Sequence, residues 1–98
     1  MPAASRLGDQ STGHDGFPPT ACISSNTSKT FVNGIQVQAL GSVYAAHTKG
    51  STTHPIGIRD TTGGSSKVFI EGKPAIRIGD PIECGDSVGE GSSNTFFG

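Results

Sequence analysis

Ninety-eight residues with a formal net charge of −1 and 32% apolar side chains bound this chain tightly. The length admits one domain, and the scattered basic residues exclude the clustered Lys and Arg of a nucleic-acid footprint. Fifteen glycines add almost no side-chain surface, so burial alone is near its limit and a staple is expected: a disulfide, a metal or an oligomeric partner.

No signal peptide opens the chain and no apolar run approaches membrane-spanning length, so synthesis in the cytoplasm is expected. Helix signals are nearly absent, because glycine recurs too often for a 3.6-residue apolar period to last three turns. The head, "ASRLGD" (residues 4–9), matches "AIRIGD" (75–80), and His14 follows it. Cys22, in "FPPTACI", reads as a small buried hydrophobe. A Cys22–Cys84 disulfide is the less favoured use of the two cysteines without a secretion signal. "KTFVNGIQVQAL" predicts two short strands joined at Asn33-Gly34, a strong hairpin cue. "YAAHTKGSTTHPI" then holds His47 and His54 in what reads as a flexible polar loop. "SKVFIEGKPAIRI" predicts a second strand pair about Glu71-Gly72, and the tail "SSNTFFG" (92–98) loosely repeats the opening of the first.

The strand pairs are a repeat. "SKTFVNGIQVQALGS" (28–42) and "SKVFIEGKPAIRIGD" (66–80) superpose without gaps. Tail and head together complete a third copy, giving units of about 28–47, 66–84 and a split unit of 92–98 plus 4–14. Three copies with split ends predict an all-β fold: a closed, pseudo-threefold set of hairpins. Each unit also carries a metal-capable side chain at nearly the same distance past its glycine turn: His14 after Gly8, His47 after Gly41 and Cys84 after Gly79. His54 is a fourth candidate. Three imidazoles and a thiolate suit tetrahedral zinc and are workable for ferrous iron. A closed set of four leaves no position for water, so the expected site is structural, and its binding free energy becomes folding free energy. Asp9, Asp80 and Asp86 read as turn chemistry, and Arg6 and Arg77, being repeat-equivalent, as sharing one structural job. No serine has the His–Asp neighbourhood of a nucleophile.

"PAASRLGD" with "TGH", "VNGIQVQALG" with "AAH", and "VFIEGKPAIRIGD" with "CG" together resemble the PAAR-repeat family over nearly the whole chain. The resemblance implies a small cone with a sharp apex and a flat base. It also implies a metal, usually zinc, held near the apex by three histidines and one cysteine, which by motif are His14, His47, His54 and Cys84. The implied role is non-enzymatic. One copy sits on the blunt end of a trimeric β-helical spike, VgrG-like or a phage central spike, in a type VI secretion system or contractile phage tail. Such a tip is made in the bacterial cytoplasm, assembled on the spike and delivered outward, piercing a membrane without spanning it. The apolar, threefold-related Phe31, Phe69 and Phe96 are the expected spike-facing residues. The middle unit departs from the pattern, with Ala39 and Ser42 where the others have Arg and Asp. Two other functions compete: a metallohydrolase or toxin, which needs an open coordination position, and a zinc-stabilised binding module or adaptor for another partner.

Overall fold

A computed structural model describes every residue from Met1 to Gly98. Its regular elements are very short: β1 (Cys22–Ser24), β2 (Phe31–Val32), β3 (Ile35–Gln36), β4 (Val43–Tyr44), β5 (His47–Lys49), β6 (Thr52–His54), β7 (Phe69–Ile70) and β8 (Lys73–Pro74), with one 3₁₀ turn at Ile56–Ile58. They pair antiparallel as β1–β4, β2–β3, β5–β6 and β7–β8. Only 11 of 46 backbone hydrogen bonds lie within these elements, so the loops supply most of the ladder that holds the chain together. The molecule is elongated, 38 × 24 × 22 Å, and no helix is long and apolar enough to cross a membrane.

Both predicted hairpins form at the predicted turns. Asn33 and Gly34 have φ of 57° and 76°, and Glu71 and Gly72 have 53° and 81°. Two consecutive left-handed residues are what a tight hairpin turn matching the strand twist requires, and Asn-Gly supplies them at low cost. Phe31 pairs with Gln36 and Phe69 with Pro74. The third hairpin has no turn of its own: Phe96, from the tail, pairs with Ala3, from the head.

Threefold order extends through the backbone. Gln38 N–H donates to Ser5 O (2.9 Å), Ser5 N–H to Ile76 O (3.2 Å) and Ile76 N–H to Gln38 O (3.1 Å), a closed ring with one member from each unit. One residue earlier in each unit, Ala4, Val37 and Ala75 are fully buried. They share a core with Val32 and Ile70, and Phe97, their counterpart in the split unit, packs against it. A second core gathers Cys22, Tyr44, Ile76, Ile82 and Val88. These cores are thin: 25 of 98 residues are buried and more than half of those are polar or charged. Every buried side-chain nitrogen and oxygen nevertheless has a hydrogen-bond partner, which keeps a polar interior from being a net cost.

The equivalent arginines do the same job. Arg6 Nε and Nη2 grip both oxygens of Asp9 at 3.0 and 3.1 Å, and Arg77 grips Asp80 the same way at 3.1 and 2.8 Å. Arg6 Nη1 also reaches Asn33 Oδ1, and Arg77 Nη1 reaches Gly98 O, tying each clamp to the turn position of another unit. The middle unit solves the problem differently. Gln38 Oε1 accepts from Ser42 Oγ and Tyr44 Oη, its Nε2 donates to Ser5 Oγ and Arg6 O, and Asn26 Nδ2 donates to Leu40 O.

With Ala39 offering no guanidinium, the turn residue Glu71 reaches across by itself. Its carboxylate accepts from Ser28 N–H, Lys29 N–H at 3.0 Å and Thr30 Oγ1–H at 3.0 Å. The Lys29 amide foremost, with Thr30, Ser28 and Lys73, holds its carboxyl below the ordinary value of 4.5. A depressed carboxylate contributes stability that is fully present above its unfolded value and lost as pH falls through its folded value. Glu71→Gln is therefore expected to flatten the acid limb of stability below about pH 4.5 relative to the parent. Urea midpoints taken as a pH series check this; parallel acid limbs would contradict it.

Candidate metal centre

The apparent loop carrying two histidines is a hairpin. β5 and β6 pair with His47 directly opposite His54, Thr48 opposite Thr53 and Lys49 opposite Thr52, and the turn passes through Gly50 at φ 60°. Directly opposed residues on an antiparallel pair project to the same face with their Cβ atoms in contact range. The seven-residue spacing thus aims both imidazoles at one point. His14 comes from a tight turn closed by Phe17 N–H to His14 O at 2.7 Å. Gly13 makes that turn possible, since a Cβ there would lie 2.6 Å from Phe17 O. Cys84 lies in the turn closed by Gly85 N–H to Ile82 O.

These four side chains converge: one candidate ligand atom from each of His14, His47, His54 and Cys84 lies within 4.8 Å of the others. Cys84 Sγ is 3.6 Å from His14 Nε2 and 3.7 Å from His47 Nε2. Tetrahedral zinc with ordinary Zn–N and Zn–S lengths requires N···S separations of about 3.6 Å, so these two edges already have the right size. His47 Nε2 and His54 Nδ1 are 2.9 Å apart and share a hydrogen bond, somewhat closer than the roughly 3.3 Å of a tetrahedral N···N edge. The donor set fits a zinc-type ion, and a small opening of the hairpin completes it.

Tautomers are arranged for that purpose. His47 Nδ1–H donates to Pro18 O at 3.0 Å and His14 Nδ1–H to Asp15 Oδ2 at 3.3 Å, which leaves each Nε2 lone pair facing the cluster. Metal-binding histidines are commonly fixed through their outer nitrogen in this way. His47 is 1% exposed. Its burial, aided by the Arg59 and His14 charges against the pull of the Pro18 carbonyl and Asp86, keeps its pKa below the ordinary 6.5 and so favours the neutral ligand form. Phe17 closes one side, its ring centroid 3.9 Å from that of His54 and 5.3 Å from that of His14, both stacked.

The sequence reading missed the support beneath this cluster. Arg59 is fully buried and Asp86 nearly so, joined by a 2.7 Å ion pair. Asp86 is more than turn chemistry: burial opposes its ionisation, but hydrogen bonds from Ser11, Arg59, Ser87 N–H and Thr12 outweigh that and hold its carboxyl below the usual range. A signal existed. Cys22, Thr61 and Val88 accept equivalent backbone positions, their amides donating to Asp9, Ser42 and Asp80 carbonyls, and two residues before them stand Thr20, Arg59 and Asp86. The loops leading there differ in length, so a gap-free alignment ends before reaching them. Cys22 is a free, buried thiol as expected, with no disulfide to Cys84. Phe31, Phe69 and Phe96 are exposed, at 56%, 60% and 47%.

Comparison with known proteins agrees with this architecture. Over 63 residues the chain is 36% identical to a protein named double-stranded DNA deaminase toxin A, from Burkholderia cenocepacia (strain H111). The match covers 64% of this chain and 4% of that protein, so this chain spans a small fraction of that relative's length. The family model described as the PAAR motif matches residues 12–90, taking in both hairpins and all four converging candidate ligands. The chain belongs to the PAAR-motif family.

Proposed function

We propose that this chain is a non-enzymatic, metal-stapled tip that caps the trimeric β-helical spike of a contractile injection machine and sharpens it for piercing an envelope. The observation that carries the reading is the closed backbone ring of Ser5, Gln38 and Ile76, by which one chain presents threefold order. A trimeric β-helix ends in unpaired strand edges that need cover, and a single pseudo-threefold chain matches a true threefold partner with one copy. Its units are 28–47, 66–84 and 92–98 joined to 4–14, forming one domain.

At the apex His14, His47, His54 and Cys84 hold one structural ion. Zinc suits three nitrogens and a thiolate best, with ferrous iron the next choice. The ion cross-links loops at a point too narrow for an apolar core, which stiffens it. Four protein ligands leave no open position for a water nucleophile. At the base Phe31, Phe69 and Phe96, exposed and on equivalent hairpins, contact the spike.

The similarity to a short part of a named toxin favours a second reading, in which the module also serves as an adaptor that carries an effector. Elemental analysis of the purified protein, followed by mixing with a trimeric β-helical spike, tests the main reading. One equivalent of zinc and a stable complex are expected. A metal-free protein that ignores the spike would contradict it.

A further inference from the structure

Arg59 has a role that neither the repeat nor the ligand set explains. Its guanidinium is fully buried and every side-chain nitrogen is engaged. Nε donates to Ala45 O at 3.0 Å. Nη1 donates to Asp86 Oδ2 at 2.7 Å and to Cys84 Sγ at 3.3 Å. Nη2 donates to Thr20 Oγ1 at 2.6 Å and to Ser11 Oγ at 3.3 Å. Ser11 and Thr20 flank the loop that bears His14, Ala45 precedes His47 by two residues, and Cys84 is itself a ligand candidate. One cation therefore touches the ligand-bearing loop of every unit.

We propose that Arg59 is the positioning residue of the metal centre: its N–H···S contact fixes and electronically tunes Cys84, while its remaining donors hold the three ligand loops in register. This rests on the metal reading above. The physical argument is directional. A buried thiolate is stabilised by a charged donor, and a sulfur whose lone-pair density is drawn toward an N–H gives less of it to a metal. Asp86 sets the strength of that contact, because the same Nη1 is shared between its carboxylate and Sγ. A lysine in this position has a point charge and no planar fork, so it cannot serve Asp86, Cys84, Thr20, Ser11 and Ala45 at once.

Cobalt(II) added alone to the metal-free protein is the probe, since sulfur-to-cobalt charge transfer reports the donor strength of Cys84. The parent is expected to take up one equivalent and to show the sulfur band. Arg59→Lys and Arg59→Gln are expected to shift that band to longer wavelength and to weaken cobalt affinity about 10–100-fold, the usual effect of losing an outer support. Tyr44→Phe, which removes one hydroxyl from the buried Gln38 network and keeps the ring beneath Arg59, serves as the comparison: it lowers Tm and leaves the band in place. A band unmoved in both Arg59 variants, with affinity within twofold of the parent, overturns the proposal. If the Arg59 variants do not fold, Asp86→Asn decides: releasing Nη1 from the carboxylate strengthens its bond to Sγ and shifts the band to shorter wavelength, and an unmoved band overturns the proposal. A parent that shows no sulfur band overturns the metal reading itself, a failure distinct from a parent band that Arg59 does not influence.

Discussion

Cys84→Ala and His54→Ala are each expected to lower metal content and Tm in the same step. A structural zinc contributes an apparent binding free energy of about 10–16 kcal/mol in small domains. Losing a quarter of it with one of four ligands is about 3 kcal/mol, which at about 4–8 °C per kcal/mol for a domain of this size lowers Tm by more than about 10 °C. The thin, largely polar interior has little to compensate with. Cys22→Ala separates coordination from packing. Burial pushes the Cys22 thiol up to about 12, so it stays protonated, and its Sγ is bonded to Ser24 O. That variant is expected to keep its metal. Metal content by elemental analysis alongside thermal melts checks all three; full metal in both ligand variants would remove His54 and Cys84 from the site.

The second large effect is on partner binding. Changing Phe31, Phe69 and Phe96 together to Asp is expected to abolish association with a trimeric spike while leaving Tm within a few degrees. Burying one such side chain contributes about 1.5–3 kcal/mol, and each 1.4 kcal/mol is about tenfold in affinity. Three lost contacts, with charges introduced in their place, therefore exceed a loss of about 1000-fold. The fold is insensitive because all three rings already face solvent. Co-sedimentation with the spike and a thermal melt give both readouts. Unchanged binding would move the contact surface elsewhere.

Legibility in the sequence followed how local each signal was. Asn33-Gly34 and Glu71-Gly72 announced their hairpins because turn chemistry lies within four residues. The split third unit was legible from "ASRLGD" and "NTFFG" because it reuses the same side chains at the same offsets. His14, His47 and Cys84 were named as candidate ligands from that offset and His54 as a fourth beside it, and the geometry brings all four together. What could not be read was pairing at a distance. Opposition of His47 and His54 across β5 and β6 looks like loop in a run of small polar residues, because Thr48, Thr53 and their neighbours carry no apolar alternation. Arg59 and Asp86 were illegible as a pair because they are 27 residues apart and separated by loops of unequal length. Phe17 carried no signal in the sequence, because its stacking on two imidazoles depends on a turn that only Gly13 admits.

The central claim is one metal-stapled chain on one threefold partner, and native mass spectrometry of this protein mixed with a trimeric β-helical spike tests it most directly. The account predicts a complex of one copy of this chain with three spike chains and a single zinc-mass ion. Three copies per trimer, a complex without the ion, or no complex at all would contradict it.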